Sequence, residues 1–92
     1  MARSHDIIVF AQFSADWCGY CKKQMPVMQE FHTEDGSWLW VLVDSDHTSI
    51  KKQYHISGIP VTICFRNGRE VDRIVGFKDA GSLRTFIDTH RR

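Results

Sequence analysis

Phe13-Ser14-Ala15-Asp16-Trp17-Cys18-Gly19-Tyr20-Cys21-Lys22-Lys23 governs how this chain is read. The segment joins the end of an apolar run, Ile7 to Phe13, to a stretch with helical spacing. The run is nearly unbroken and carries β-branched residues, the pattern of a strand covered on both faces. Beyond it Met25, Met28 and Phe31 or His32 recur at helical intervals, with Val27 alongside, which predicts a helix over 19–32. Pro26 inside that helix predicts a kink. The Cys-x-x-Cys pair therefore lies where a strand hands over to a helix. One thiol stands at the helix start, where unpaired backbone N–H groups and the helix dipole favour a thiolate. The other lies three residues on along the same face, within reach of an intramolecular disulfide. That arrangement suits dithiol–disulfide exchange.

Working outward, Glu34-Asp35-Gly36-Ser37 reads as a loop and Trp38 to Val43 as a second apolar strand, with Trp38 and Trp40 on one face. Asp44-Ser45-Asp46 ends the strand and offers N-caps for a helix over 47–54. Ser57-Gly58-Ile59-Pro60 is a turn. Strands over 61–65 and 70–75 flank Asn67-Gly68, a hairpin signal because a type I′ turn needs positive φ at both central residues. Leu83, Phe86, Ile87 and His90 share one face of a last helix, with Asp79 as its N-cap. The order is β-α-β-α-β-β-α. It predicts an α/β fold, a mixed four-stranded sheet with helices on both faces, in a single domain spanning 1–92.

At 92 residues the chain can bury one modest core, and its 42% hydrophobic and 25% charged residues are ordinary for a globular protein. The net charge of +1 gives no bulk electrostatic case for nucleic acid. No apolar stretch reaches membrane-spanning length. Gln12, Asp16 and Trp17 break any signal-peptide pattern after Ile7, so the chain is read as unprocessed and cytoplasmic.

Three cysteines do not make a disulfide framework. In a reducing compartment the close pair is either redox-active or half of a metal site. Zinc would need two further ligands from His5, His32, His47, His55 and His90, none of which form a His-x-x-x-His pair. The reading is accordingly a redox pair and no metal. Cys64 alternates with Val61, Ile63 and Phe65 along a strand and reads as a buried, inert thiol.

These residues also resemble a known family. Trp17-Cys18-Gly19-Tyr20-Cys21-Lys22, Pro26 five residues after the second cysteine, Gly58-Ile59-Pro60 before a strand, Asn67-Gly68 in a hairpin and Val75-Gly76 before the last helix together resemble thioredoxins, over residues 7–90 and in one order. The resemblance implies a thioredoxin-like fold and a protein-disulfide reductase acting through a mixed disulfide. In it Cys18 is the exposed nucleophile and Cys21 the buried resolving thiol, supported by Trp17, Gly19 and Tyr20. Pro60 is the cis-proline against the disulfide, Ile59 pairs its backbone with substrate, and Trp17 and Gly76 form an apolar rim. It implies no bound cofactor, with electrons from NADPH through a thioredoxin-reductase-type flavoenzyme and glutathione as the competing donor. Ribonucleotide reductase, peroxiredoxins and methionine sulfoxide reductase are the acceptors it suggests.

The chain departs from the family pattern at four points. It starts directly at the strand leading into the Cys-x-x-Cys segment, without the usual preceding strand and helix. Gln12 and Trp40 stand where thioredoxins usually carry a buried Asp and a Lys, and Tyr20 replaces the Pro between the cysteines. Tyr20 implies a less reducing pair, which admits a glutaredoxin-like or weakly oxidising, isomerising activity as the alternative. A non-catalytic binding module docking through Trp17, Ile59 and Gly76 is the third reading. A monomer is expected. Without a preceding strand, 38–43 becomes an apolar sheet edge, to be covered by the N-terminal residues or paired in a dimer.

Overall fold

A computed structural model describes residues 7–34, 36–44, 48–56 and 58–91. Chain order is β1 (Ile8–Ser14), α1 (Gly19–Glu34), β2 (Leu39–Asp44), α2 (Thr48–Gln53), β3 (Val61–Arg66), β4 (Arg69–Val75) and α3 (Ala80–His90). The strands form one mixed sheet in the order β2-β1-β3-β4. β1 runs parallel to β2, with Phe10 beside Trp40 and Gln12 beside Leu42. β1–β3 and β3–β4 are antiparallel.

β1 sits inside the sheet because its side chains are apolar on both faces, and five of its seven residues are buried. One face receives α1 and α3, with Phe10, Trp38, Met28, Phe31, Cys64, Leu83, Phe86 and Ile87 in a single buried cluster. Phe10 meets Trp38 and Phe86 edge to face at 5.0 and 5.7 Å. Trp38 and Trp40 both belong to this side, as alternation predicts. The other face carries Ala11, Phe13, Ile56, Val61 and Ile63, with Tyr54, just past α2, leaning on Phe13 and Phe65.

Local signals hold where they are strongest. Asn67 and Gly68 turn the hairpin with φ of 53° and 84°. Asn67 also ties the turn to the start of β1, its Oδ1 accepting from Ile7 N–H and its N–H donating to Ile7 O, both at 2.8 Å. Asp79 caps α3 by accepting from Ser82 N–H at 2.8 Å.

Two expectations shift. α1 runs two residues further than predicted, and its buried face is Cys21, Gln24, Met28 and Phe31, with Met25 only half-buried. A polar residue thus occupies a core position. α2 is shorter than predicted, and the proposed caps Ser45 and Asp46 lie outside the described residues. β2 is a sheet edge with Leu39, Val41 and Leu42 exposed. The N-terminal residues expected to cover it lie outside the described residues.

Candidate active site

The site is built at the β1–α1 junction. Cys18 immediately precedes the first helical residue, and its carbonyl accepts the first helical bond from Lys22 N–H at 3.2 Å. Cys18 therefore occupies the N-cap position. Its side chain does what an N-cap side chain does: Sγ accepts from the N–H of Cys21, the third helical residue, at 3.1 Å. A turn before the helix is closed by Cys18 N–H on Ala15 O at 3.1 Å. Cys18 and Cys21 are joined in a disulfide with Cα atoms 5.3 Å apart. The same N–H that meets Cys18 sulfur here can stabilise a thiolate there once the bond opens, together with the helix dipole.

Cys21 is fully buried, and Cys18, expected to be exposed, keeps only 6% of its surface. Its sulfur turns inward to bond Cys21 and to accept that N–H. Exposure passes to the flanking aromatics, Trp17 at 66% and Tyr20 at 61%. Tyr20 rests against Phe77 at 5.6 Å, and Lys23 Nζ lies over the Tyr20 ring at 5.5 Å.

Two loops complete the site. The Ile59–Pro60 bond is cis. Ile59 is half-buried against the second core cluster, while Pro60 is buried. Gly76 adopts φ of +90°, a conformation that L side chains rarely adopt, and donates its N–H to Pro60 O at 2.7 Å. The cis-proline turn and the Gly76 loop are thereby one unit. Phe77 then connects that unit to α1 through Tyr20.

Sequence reading missed the buried link between the same parts. Gln24, fully buried one turn past Cys21, donates to Thr62 Oγ1 at 3.2 Å and accepts from Lys78 N–H at 3.1 Å. The available signal was a glutamine three residues after Cys21 and four before Met28, on the face that must be apolar.

Gln12, in the middle of β1, is also fully buried and accepts from Trp40 Nε1 at 3.1 Å, while its own Nε2 has no partner among the described residues. The two residues that depart from the family's Asp and Lys thus contact each other. A cavity of about 340 Å³ reaches Cys21 from the β2 side, bordered by Asp16, Lys22, Met25, Leu42 and Asp44.

His32 and His90 are engaged away from the sulfurs. His32 Nε2 lies 3.0 Å from Trp38 O, and His90 Nε2 lies 2.8 Å from Asp72. Among the described residues no group of three or more His, Cys, Asp or Glu is placed to hold a metal ion. No helix among them is long and apolar enough to cross a membrane.

The thioredoxin family model matches residues 2–89. The chain belongs to the thioredoxin family. It is 43% identical over 84 residues to a thioredoxin of Chlamydia caviae, covering 90% of this chain and 82% of that one. It is 34% identical over 80 residues to a thioredoxin of Mycoplasmoides gallisepticum, covering 86% and 80%. Among solved structures, a mutant thioredoxin from Halobacterium salinarum superposes with a TM-score of 0.85 at 29% identity, over 97% of this chain and 79% of that one. The fold is thioredoxin-like, and this thioredoxin-family chain is a thiol–disulfide oxidoreductase of the protein-disulfide reductase kind, bearing its disulfide at the Cys18–Cys21 pair.

Proposed function

We propose that Cys18 is the attacking thiolate and Cys21 the resolving thiol. Reduced Cys18 attacks one sulfur of a substrate disulfide, expels the other as a thiolate and forms a mixed disulfide. Cys21 then loses its proton, attacks Cys18 sulfur and releases the second substrate thiol. Two electrons pass to the substrate and the Cys18–Cys21 disulfide remains. The observation that carries this assignment is the Cys21 N–H on Cys18 Sγ at the helix start, which favours negative charge on the first sulfur. Trp17, Ile59 and Gly76 form the substrate groove beside it, with Gly19, Tyr20 and Pro60 as its support. A disulfide-bonded protein is the substrate class. An NADPH-dependent flavoenzyme of the thioredoxin reductase kind is the electron donor.

Proton removal from Cys21 takes an unusual route. Neutral Gln12 cannot accept a proton, and its amide oxygen is engaged by Trp40. Water entering the cavity at Cys21, or the departing substrate thiolate, takes the proton instead. The compartment is a reducing one, the cytoplasm, where a Cys-x-x-Cys pair serves in exchange and not as a structural bridge.

Trapping tests the assignment. Reduced Cys21→Ser is expected to accumulate a mixed disulfide with insulin through Cys18, and Cys18→Ser to accumulate none; the reverse pattern would reassign the nucleophile. A second reading, glutaredoxin-like exchange or isomerisation, is favoured by Tyr20 between the cysteines. Equilibration in thiol redox buffers separates the two. A potential near about −270 mV, the established figure for thioredoxins, marks a reductase, and one near about −200 mV marks the second reading. Turnover coupled to thioredoxin reductase or to glutathione reductase decides the donor.

A further inference from the structure

A primary amide offers two donor hydrogens and one acceptor oxygen. Gln24 uses both ends on different parts of the site. Nε2 reaches Thr62, two residues after Pro60, and Oε1 receives the N–H of Lys78, two residues after Gly76. The amide itself sits on α1, three residues past Cys21. Gln24 and Thr62 are both fully buried. One side chain thus spans the helix that carries the cysteines, the strand leaving the cis-proline and the loop leaving Gly76.

Stability alone does not require a polar pair here. Replacing two bonded partners by apolar groups of the same shape is often close to neutral. What the amide adds is geometry, because a hydrogen bond restricts donor–acceptor distance and direction whereas apolar contact does not. The 76–79 loop is held at three successive points: Gly76 N–H on Pro60 O, Lys78 N–H on Gln24, and the Asp79 carboxylate on Ser82 N–H. Of these three, only the middle one connects the loop to the cysteine helix.

We propose that Gln24 is a positioning residue for protein disulfides, setting the spacing between Cys18 and the two backbone segments that receive the substrate chain. The proposal rests on the reading of Trp17, Ile59 and Gly76 as the substrate groove. A small disulfide needs only Cys18, whereas a protein disulfide also needs the groove in register with it. Gln24 therefore governs the ratio of the two rates and leaves the sulfur chemistry alone.

The test uses full-length protein, reduced in advance, with insulin and with a small aromatic disulfide. Gln24→Met keeps length and bulk and removes both hydrogen bonds. Thr62→Val removes only the acceptor on β3. Gln24→Met is expected to lower the insulin rate constant about tenfold, below the roughly 10²-fold that an ångström-scale misplacement can cost. Its rate with the small disulfide stays unchanged, and exchange of the Lys78 amide hydrogen accelerates in the folded protein. Thr62→Val shows a smaller insulin defect and normal Lys78 exchange. An unchanged ratio of the two rates in Gln24→Met, whether both hold or both fall, overturns the proposal. If Gln24→Met does not fold, an unchanged ratio in Thr62→Val overturns it alone. Trp17→Ala run in parallel distinguishes the two readings. A slower insulin rate in Trp17→Ala with a normal ratio in Gln24→Met removes only the role of Gln24. A normal insulin rate in Trp17→Ala removes the groove, and the Gln24 proposal with it.

Discussion

Cys18 and Cys64 carry the same thiol in opposite settings. Cys18 lies at a helix start with a backbone N–H on its sulfur and two exposed aromatic rings beside it. Cys64 lies in the middle of β3, between β1 and β4, with Phe10 and Asp72 as its cross-strand neighbours and no exposed surface. Burial pushes its thiol up to about 11, against a partial pull downward from Arg66. The backbone around a sulfur thus governs its chemistry: an open helix end supplies unpaired donors, whereas the interior of a ladder has already committed them to neighbouring strands.

The contrast between the two thiols breaks most sharply by deletion. Cys18→Ser is expected to abolish insulin reduction, and Cys64→Ala to leave it intact; a turbidity assay of insulin precipitation reads both.

The pH dependence of stability comes next. The Cys64 thiol ionises near its ordinary value of 9.0 when unfolded and near 11 when folded. Between those values only the unfolded chain gives up the proton, so the contribution is full below about pH 9 and falls as pH rises toward 11. At about 1.4 kcal/mol per pH unit, the loss reaches up to about 3 kcal/mol. Denaturant titrations at pH 8.5 and 11 are expected to show a smaller loss for Cys64→Ala than for the parent chain.

Gln12→Asp probes the reactive side of the contrast. A carboxylate at that buried position can take the Cys21 proton, and mixed-disulfide resolution at neutral pH is expected to accelerate about tenfold, below the usual range of general base catalysis. Stopped-flow release of the substrate thiol measures it, and an unchanged rate would show that the existing route is not limiting. An effect no larger is expected from Tyr20→Pro, which removes backbone freedom and the Tyr20–Phe77 contact. The potential should become more negative by on the order of 30 mV, equivalent to about 1.4 kcal/mol, as read by redox-buffer equilibration.

Much of this molecule was legible in its residues. The Ile7–Phe13 run, the Cys18–Cys21 spacing, the Asn67-Gly68 turn and the Asp79 cap each appear where the pattern placed them, because each depends on neighbours a few positions away. Gln24 was passed over for a related reason. Its partners lie 38 and 54 residues further along, and no local pattern announces a buried amide that will be satisfied from two other elements. The expectation that Cys18 is exposed comes from the resemblance to thioredoxins and not from its neighbours in the chain. Its burial follows from the inward turn of a sulfur that has both a covalent and a hydrogen-bonded partner.

Residue order alone was enough to set the succession of elements, the place of the dithiol at a strand-to-helix junction and the inertness of Cys64, since periodicity, capping and turn chemistry act over one or two turns of chain. It took the folded arrangement to bring Gly76 N–H to Pro60 O and to let Gln24 join α1 to both loops. Those bonds form only after the sheet has brought β1, β3 and the last loop alongside α1, and a buried polar group must then find its partner in space or remain unpaired.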